Sequence, residues 1–277
     1  MEVAFTKMHG LGNDFIVIDT TARELPDPAA FAVKFCDRRR GIGADQVLLL
    51  RPSSVGDFGM KIFNADGSEV EMCGNGVRCL GKYIWDRGLS ANNPLVIETS
   101  AGLIRPERKG ELVRVDMGAP TLTPGDVPVS LDGPGPVMDH VFTADDRQFP
   151  ITCVSMGNPH AVIFLEEDLG RFPVARYGPI IEYAPLFPKR TNVEFVTIRD
   201  SSHITMRVWE RGAGETMACG TGASAAGVAS MLKGLTGRRV TVTLPGGDLI
   251  IEWSDDDHVY MTGPAVEVFE GKVKVWE

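Results

Sequence analysis

MCGNG at residues 72–76 and ACGTG at residues 218–222 each place Gly-x-Gly directly after a cysteine. A motif that returns so far along a chain marks a duplicated unit if its surroundings return with it. They do. A shift of 146 positions lays Cys73 on Cys219, Gly74 on Gly220, Gly76 on Gly222, Gly81 on Gly227 and Gly88 on Gly234, with Glu69 on Glu215 and Gln46 on Asn192. A shift of 145 lays GNDFIVI (12–18) over GNPHAVI (157–163), so one residue of slippage falls in a loop.

Each half reads as a series of strands around one helix. Alternating or β-branched runs at 3–7, 15–19, 46–51 and 58–64 precede the Cys73 motif, and 95–99, 102–107 and 111–116 follow it. In the second half the corresponding runs are 151–155, 161–165, 193–199 and 203–209, then 240–244, 249–253 and 259–262. After Cys73, Val77, Leu80 and Ile84 recur at helical spacing and Gly88 marks the stop; after Cys219 the stop is Gly234. GTGASAAGVASML (220–232) is made almost wholly of small residues, which implies close neighbours on all sides.

The expected fold class is α/β (α+β): two pseudo-symmetric domains from an internal duplication, each a mixed, curled β-sheet around a central helix. The Pro- and Gly-rich stretch 118–139 is the crossing between them. The expected domains are 1–118 and 119–263, with 264–277, AVEVFEGKVKVWE and its preceding proline, returning to the first as a strand pair.

The chain has 277 residues, a formal charge of −9 and a pI near 5.1. Such a balance repels nucleic acid and anionic membrane, so Arg38, Arg39 and Arg40 read as a local salt-bridged or solvated patch. The N-terminus lacks the basic start and apolar run of a signal peptide, and no segment reaches the length of a membrane span, which points to the cytoplasm. Five cysteines, an odd number, read as free thiols.

Each Cys-Gly-x-Gly falls where a strand gives way to a helix. There the unpaired N–H groups and the helix dipole favour negative charge, and glycine lets a ligand approach the backbone. Such a place favours thiolate and seats a carboxylate. Equivalent cysteines of a duplicated unit point at each other across an interdomain cleft. Inverting a carbon stereocentre requires that arrangement, with a base on one face and an acid on the other. The helix N-termini would hold the α-carboxylate and stabilise developing charge in place of an electron-sink cofactor.

Other readings explain less. Cys36, Cys79 and Cys153 read as small buried hydrophobes. GVRCLGK (76–82) fits seven places of a P-loop, but Tyr83 stands where Ser or Thr is needed and the segment is helical. No Cys-x-x-Cys and no histidine spacing suggests a metal. A cysteine nucleophile with His160 as base accounts for one of the two cysteines only.

KMHGLGNDFIVID (7–19), RRGIGADQ (39–46), FNADGSEVEMCGNGVRC (63–79), GNPHAV (157–162), TNVEFV (191–196) and WERGAGETMACGTGASA (209–225) together resemble the diaminopimelate epimerase family almost end to end. The resemblance implies interconversion of LL- and meso-diaminopimelate by Cys73 and Cys219 with no cofactor, neither pyridoxal phosphate nor metal. It implies that His160 and Glu210 assist proton movement. It carries substrate contacts over to Asn13, Gln46, Asn64, Gly74, Asn75, Asn158, Asn192, Glu210, Arg211, Gly220 and Thr221, with Arg211 forking onto the distal carboxylate. Read from the residues alone, Asn13 and Asn158 can also serve only to shape turns, Gln46 and Asn192 to pair with backbone, and His160 as a satisfied core histidine. Proline racemases share the two-thiol chemistry, but proline offers Arg211 no second carboxylate. A module that binds diaminopimelate without exchanging its α-proton is the non-enzymatic alternative. The resemblance also implies a homodimer, although the family often has a tyrosine at the interface where this chain has Phe269.

Overall fold

Runs rich in β-branched and aromatic residues become strands because their side chains pack on a pleated surface. In the computed structural model, which describes residues 1–275, two compact units emerge. One comprises Met1–Asp116 and the chain from Thr262 onward; the other is Met117–Met261.

The first unit begins β1 (Glu2–Gly10), β2 (Asn13–Asp19), α1 (Pro28–Phe35), β3 (Gln46–Arg51), β4 (Phe58–Asn64) and β5 (Glu69–Val70). Then come α2 (Gly74–Asp86), β6 (Ile97–Thr99), β7 (Gly102–Ile104) and the hairpin β8 (Glu107–Lys109) and β9 (Leu112–Asp116). The second unit runs β10 (His140–Ala144), β11 (Arg147–Ser155), β12 (Pro159–Phe164), α3 (Val174–Glu182), β13 (Asn192–Asp200) and β14 (His203–Glu210). It continues with β15 (Gly214–Thr216), α4 (Gly220–Leu232), β16 (Arg239–Leu244), β17 (Gly247–Trp253) and the first half of β18 (Val259–Pro264), whose last three residues are counted with the first unit. The last strand, β19 (Val266–Lys274), pairs antiparallel with β1. No helix among the described residues is long and apolar enough to cross a membrane.

The duplication extends to strand register. In the first sheet β1–β2 is antiparallel, β2–β3 parallel, β3–β4 antiparallel, β4–β6 parallel and β6–β7 antiparallel. The series β11, β12, β13, β14, β16, β17 repeats that pattern of directions. Phe15 opposite Gln46 is matched by His160 opposite Asn192, and Phe63 opposite Glu69 by Trp209 opposite Glu215. Both central helices end in the same way. Gly88 and Gly234 take positive φ, their N–H groups bond the carbonyls of Trp85 and Met231, and Leu89 and Leu235 bond those of Ile84 and Ser230.

The central strands are buried on both faces, which explains their nearly unbroken apolar runs. Val47 and Leu49 share a core cluster with Phe31 and Ala32 of α1, while Leu48 faces the other way, towards Gly76 of α2. In the second unit Val193 and Phe195 pack with Val174, Tyr177 and Ile181 of α3, and Glu194 faces Gly222 of α4.

Four expectations are corrected. Residues 264–277 give one strand, not a pair within the described residues: Gly271 lies opposite Phe5, and a Cβ there would come 2.6 Å from the Phe5 ring, so this glycine serves close approach and not a turn. The stretch 118–139 is more than a crossing, since Val127, Val129 and Val137 enter the second unit's core and Thr121 bridges Ser155. The run 102–107 splits into β7 and β8, interrupted at Pro106, which has no N–H to donate. Helices α1 and α3 and the short strands β5 and β15 are additions to the expected elements.

Close helix–sheet packing makes a testable difference between equivalent glycines. A Cβ on Gly227 would lie 2.8 Å from Cγ2 and 3.1 Å from Cβ of Ile251, whereas on Gly81 it would meet the outer ring of Trp85 at 3.1 Å. Alanine gains about 1 kcal/mol over glycine in a helix, and overpacking a core costs about 1–3 kcal/mol. Gly227→Ala is therefore expected to lower the midpoint of thermal unfolding, and Gly81→Ala to leave it nearly unchanged.

Candidate active site

Cys73 and Cys219 are the N-cap residues of α2 and α4, both with extended backbone. The glycines that follow start each helix, and the first intrahelical bonds, Val77 N–H to Cys73 C=O and Ala223 N–H to Cys219 C=O, are both 2.9 Å. Cysteine lacks the side-chain oxygen of the preferred N-caps: Cys73 makes no side-chain cap bond, and Cys219 takes only the Gly222 N–H on its sulfur, so the other first-turn N–H groups are left for an incoming anion. Gly76 and Gly222 admit the strand beneath: a Cβ would meet Leu48 at 3.2 Å in one unit and Glu194 Oε1 at 2.8 Å in the other.

In the first unit Asn13 is the hub. Its Oδ1 accepts from Cys73 Sγ at 3.7 Å and from Asn75 Nδ2 at 3.2 Å, and its Nδ2 donates to Asp45 Oδ2 at 2.9 Å. Asp45 is held in turn. Its N–H donates to Asp14 Oδ1 at 2.9 Å and Arg38 Nη2 donates to its Oδ1 at 2.7 Å. Lys7, nearly buried, donates to Asp14 at 2.7 Å and to the carbonyl of Gly43. Burial tends to raise the Asp14 pKa, but hydrogen bonds from Arg38 and Lys7 outweigh it and hold the carboxyl well below the usual range. Gln46 donates to Asn64 Oδ1 at 2.8 Å, and Asn64 to Ser68 at 3.0 Å. Arg38 with Asp14 and Asp45, and Arg40 with Asp37, form the salt-bridged patch read from the basic run.

In the second unit Asn158, equivalent to Asn13, donates through Nδ2 to Thr221 Oγ1 at 3.4 Å, and its Oδ1 lies 2.9 Å from His160 Nε2. Thr221 Oγ1 lies 3.5 Å from Cys219 Sγ, and Gly222 N–H donates to the same sulfur at 3.4 Å. Burial, with the carboxylates of Glu210 and Glu194, pushes the Cys219 thiol well above its ordinary pKa; the Thr221 and Gly222 hydrogen bonds oppose this. Thr216 donates to Glu210. Asn192 bonds backbone on both sides, donating to the Pro159 carbonyl at 3.0 Å and accepting from Arg211 N–H at 2.9 Å. The Arg211 guanidinium is exposed and donates to the Lys189 carbonyl at 3.1 Å.

Asn13, Cys73 and Asn75 are thus gathered in one unit, and Asn158, His160, Cys219 and Thr221 in the other. Gly74 and Gly220 open the two helices. Gln46 and Asn64 form a separate pair on β3 and β4, and Asn192 and Arg211 a pair about the end of β13. Motif reading passes over Glu194, Thr216 and the acidic partners of Arg38, Asp14 and Asp45. The signal for Glu194 lay in TNVEFV: a carboxylate inside an apolar strand run, at the place where the repeat puts Leu48.

A profile of the diaminopimelate epimerase family matches residues 5–123 and 152–268. A diaminopimelate epimerase of Acetivibrio thermocellus is 52% identical over 99% of this chain and 99% of its own length. Among solved structures, a phenazine biosynthesis protein of the PhzF family from Bacillus anthracis superposes with TM-score 0.73 at 18% identity, over 99% of this chain and all of that one. A hydroxyproline epimerase from Agrobacterium vitis superposes with TM-score 0.68 at 16% identity, over 98% of this chain and 92% of the other. At those identities the two structures establish a shared fold and nothing more.

Burial raises the thiol pKa of Cys36 to about 11 and those of Cys79 and Cys153 to about 12. Cys73 alone among the five is partly exposed. Iodoacetamide at about pH 8 should modify Cys73 first and leave Cys36, Cys79 and Cys153 unmodified, as peptide mass mapping would show. Asp14→Asn should destabilise the fold at neutral pH by about 2 kcal/mol, the scale of hydrogen bonds to a charged group. Because the folded pKa of Asp14 is depressed, that contribution is complete above the unfolded carboxylate pKa near about 4. It disappears as pH falls through the folded value, so denaturant titrations of variant and wild type should converge in acid.

Proposed function

The chain belongs to the diaminopimelate epimerase family, and from that membership we propose that it interconverts LL- and meso-2,6-diaminopimelate by two-base chemistry. One of Cys73 and Cys219, as thiolate, removes the α-proton; the other, as thiol, delivers a proton to the opposite face. The roles exchange with direction. The observation that carries this reading is the equivalence of the two cysteines: each is the N-cap of the central helix in one copy of a repeated topology.

An α-proton is too weakly acidic for an unaided thiolate, so the carbanion must be stabilised as it forms. In this reading the first-turn N–H groups after Cys73 and after Cys219, from Gly74, Asn75, Gly220 and Thr221, hold the α-carboxylate and take up developing charge. The mobile protons reside on sulfur, and the pair titrates as a unit. The hydrogen bonds from Thr221 and Gly222 to Sγ support formation of the Cys219 thiolate against the cost of its burial. His160 and Glu210 assist proton movement on that side.

Arg211 holds the distal carboxylate, with Asn64, Asn158 and Asn192 checking the distal centre, which must be recognised but left unchanged; Asn13 and Gln46 complete the contacts. A racemase for proline would have no second carboxylate for Arg211, and that distinction favours the diaminopimelate reading. The enzyme acts in the cytoplasm as a homodimer. The edge strand β19 leaves Val266, Val268 and Phe269 exposed, with Phe269 edge-on to Phe5 at 5.9 Å between centroids, an apolar strip suited to self-association.

Incubation of LL-diaminopimelate with the protein in deuterium oxide should give meso product carrying deuterium at one stereocentre only. Cys73→Ala and Cys219→Ala should each reduce turnover by at least roughly a thousandfold, within the range lost when an acid or base is removed. Wild-type turnover in either variant, or substrate bound without any α-proton exchange in the wild type, overturns the reading.

A further inference from the structure

Glu194 is fully buried in β13 between Val193 and Phe195, and the proposed reaction gives it no task. Its Oε1 lies 2.7 Å from His160 Nδ1, and Oε2 has no hydrogen-bond partner among the described residues. An ionised carboxylate so placed is costly unless paired. Burial raises the Glu194 pKa, opposed by the neighbouring His160. Burial favours a pair of no net charge, with one proton shared between Oε1 and Nδ1. With that proton on either atom, the ring's other hydrogen stays on Nε2, which faces the carbonyl Oδ1 of Asn158 at 2.9 Å.

From Nε2 the hydrogen bonds run in one sense. His160 Nε2–H donates to Asn158 Oδ1, and Asn158 Nδ2–H donates to Thr221 Oγ1 at 3.4 Å. Thr221 Oγ1 lies 3.5 Å from Cys219 Sγ and donates its hydrogen there when the sulfur is a thiolate, which can only accept. All four links lie within the second unit.

The first unit shows that the fold does not require this charge. At the equivalent places stand Phe15 and Leu48, both fully buried and apolar. Asn13, equivalent to Asn158, is held there by Asp45 instead. A buried carboxyl kept where the duplicate uses leucine points to a role in the reaction.

We propose that Glu194 is a positioning residue for Cys219: by engaging Nδ1 of His160 it fixes the ring hydrogen on Nε2 and orders the Asn158–Thr221 chain that ends on the sulfur. This deepens the epimerase reading and rests on it for the kinetic part of the test.

The test compares wild type, Glu194→Gln and Glu194→Leu by long-range proton–nitrogen NMR of isotope-labelled histidines, together with kcat and KM in both directions. Glutamine can donate its amide N–H to Nδ1, so Glu194→Gln should keep the Nε2–H form and a kcat within roughly threefold of wild type. Leucine frees Nδ1, so the His160 proton should divide between the two ring nitrogens. For Glu194→Leu kcat should fall roughly tenfold to a hundredfold, the scale of a misplaced reacting group, while KM moves by less than about threefold. The inference is overturned if Glu194→Leu retains both the Nε2–H form and wild-type kcat, or if Glu194→Gln loses as much kcat as Glu194→Leu. Should Glu194→Leu not fold, Glu194→Gln decides alone: a ring hydrogen moved off Nε2, or kcat down more than about tenfold, contradicts the role. A wild-type protein that leaves diaminopimelate unchanged defeats the epimerase reading by itself, because the ring-nitrogen signals still report on Glu194.

Discussion

A helix cannot satisfy the N–H groups of its own first turn, and α2 and α4 present theirs behind a cysteine. Serine or aspartate at those N-caps would stabilise the helix by about 1 kcal/mol through a side-chain oxygen and occupy the donors in doing so. Cysteine forgoes most of that stabilisation. Apart from Gly222 N–H, which bonds Cys219 Sγ, the donors stay available, and the sulfur sits at the positive end of the helix dipole. Much of the surrounding structure serves to hold these two ends in place. Glycines at 76 and 222 let a strand approach beneath them, the Gly88 and Gly234 motifs stop the helices at equivalent lengths, and buried strands fix both helices from several sides.

The duplicated halves have diverged in how they restrain the asparagine beside each sulfur. Asn13 depends on a partly exposed ionic group, Asp14, Asp45, Lys7 and Arg38, which salt and acid can weaken. Asn158 depends on the buried His160–Glu194 pair, which solvent does not screen. A buried pair of this kind is a poor source of stability, because desolvation cancels most of its attraction. Its presence under one cysteine and not the other gives the two sulfurs different surroundings despite a common topology. In the two-base proposal, proton removal and delivery are chemically equivalent roles given to sites that are not identical.

Much of this was legible in the residues. Glycine spacing revealed the duplication because glycines meet backbone requirements that few others can, with a cysteine ahead of each Gly-x-Gly, and the β-branched runs marked most strands. What escaped did so for physical reasons. PAAFAVKF is apolar nearly throughout, so α1 has little helical periodicity to read; only Asp27, which accepts from Ala30 N–H, and Pro28 at the first turn announce it. Helix α3 contains Pro179, ordinarily a helix breaker. The strand pair expected over 264–277 gives way to a single strand within the described residues, because a sequence does not show which ring, here Phe5, will pack over Gly271. Among site residues, the asparagines and His160 lay in recognisable motifs, whereas Glu194 acquires meaning only once β12 and β13 set it beside His160.

Two-base chemistry as proposed requires two sulfurs to reach one tetrahedral carbon from opposite sides. A crystal structure of the protein with an unreactive diaminopimelate analogue measures that directly. Sγ of Cys73 and Sγ of Cys219 are expected on opposite faces of the same α-carbon, each about 3.5 Å from that carbon along the line of its transferred hydrogen, with the α-carboxylate against the N-termini of α2 and α4. An analogue bound with only one sulfur near that carbon, or with both on the same face, would contradict it.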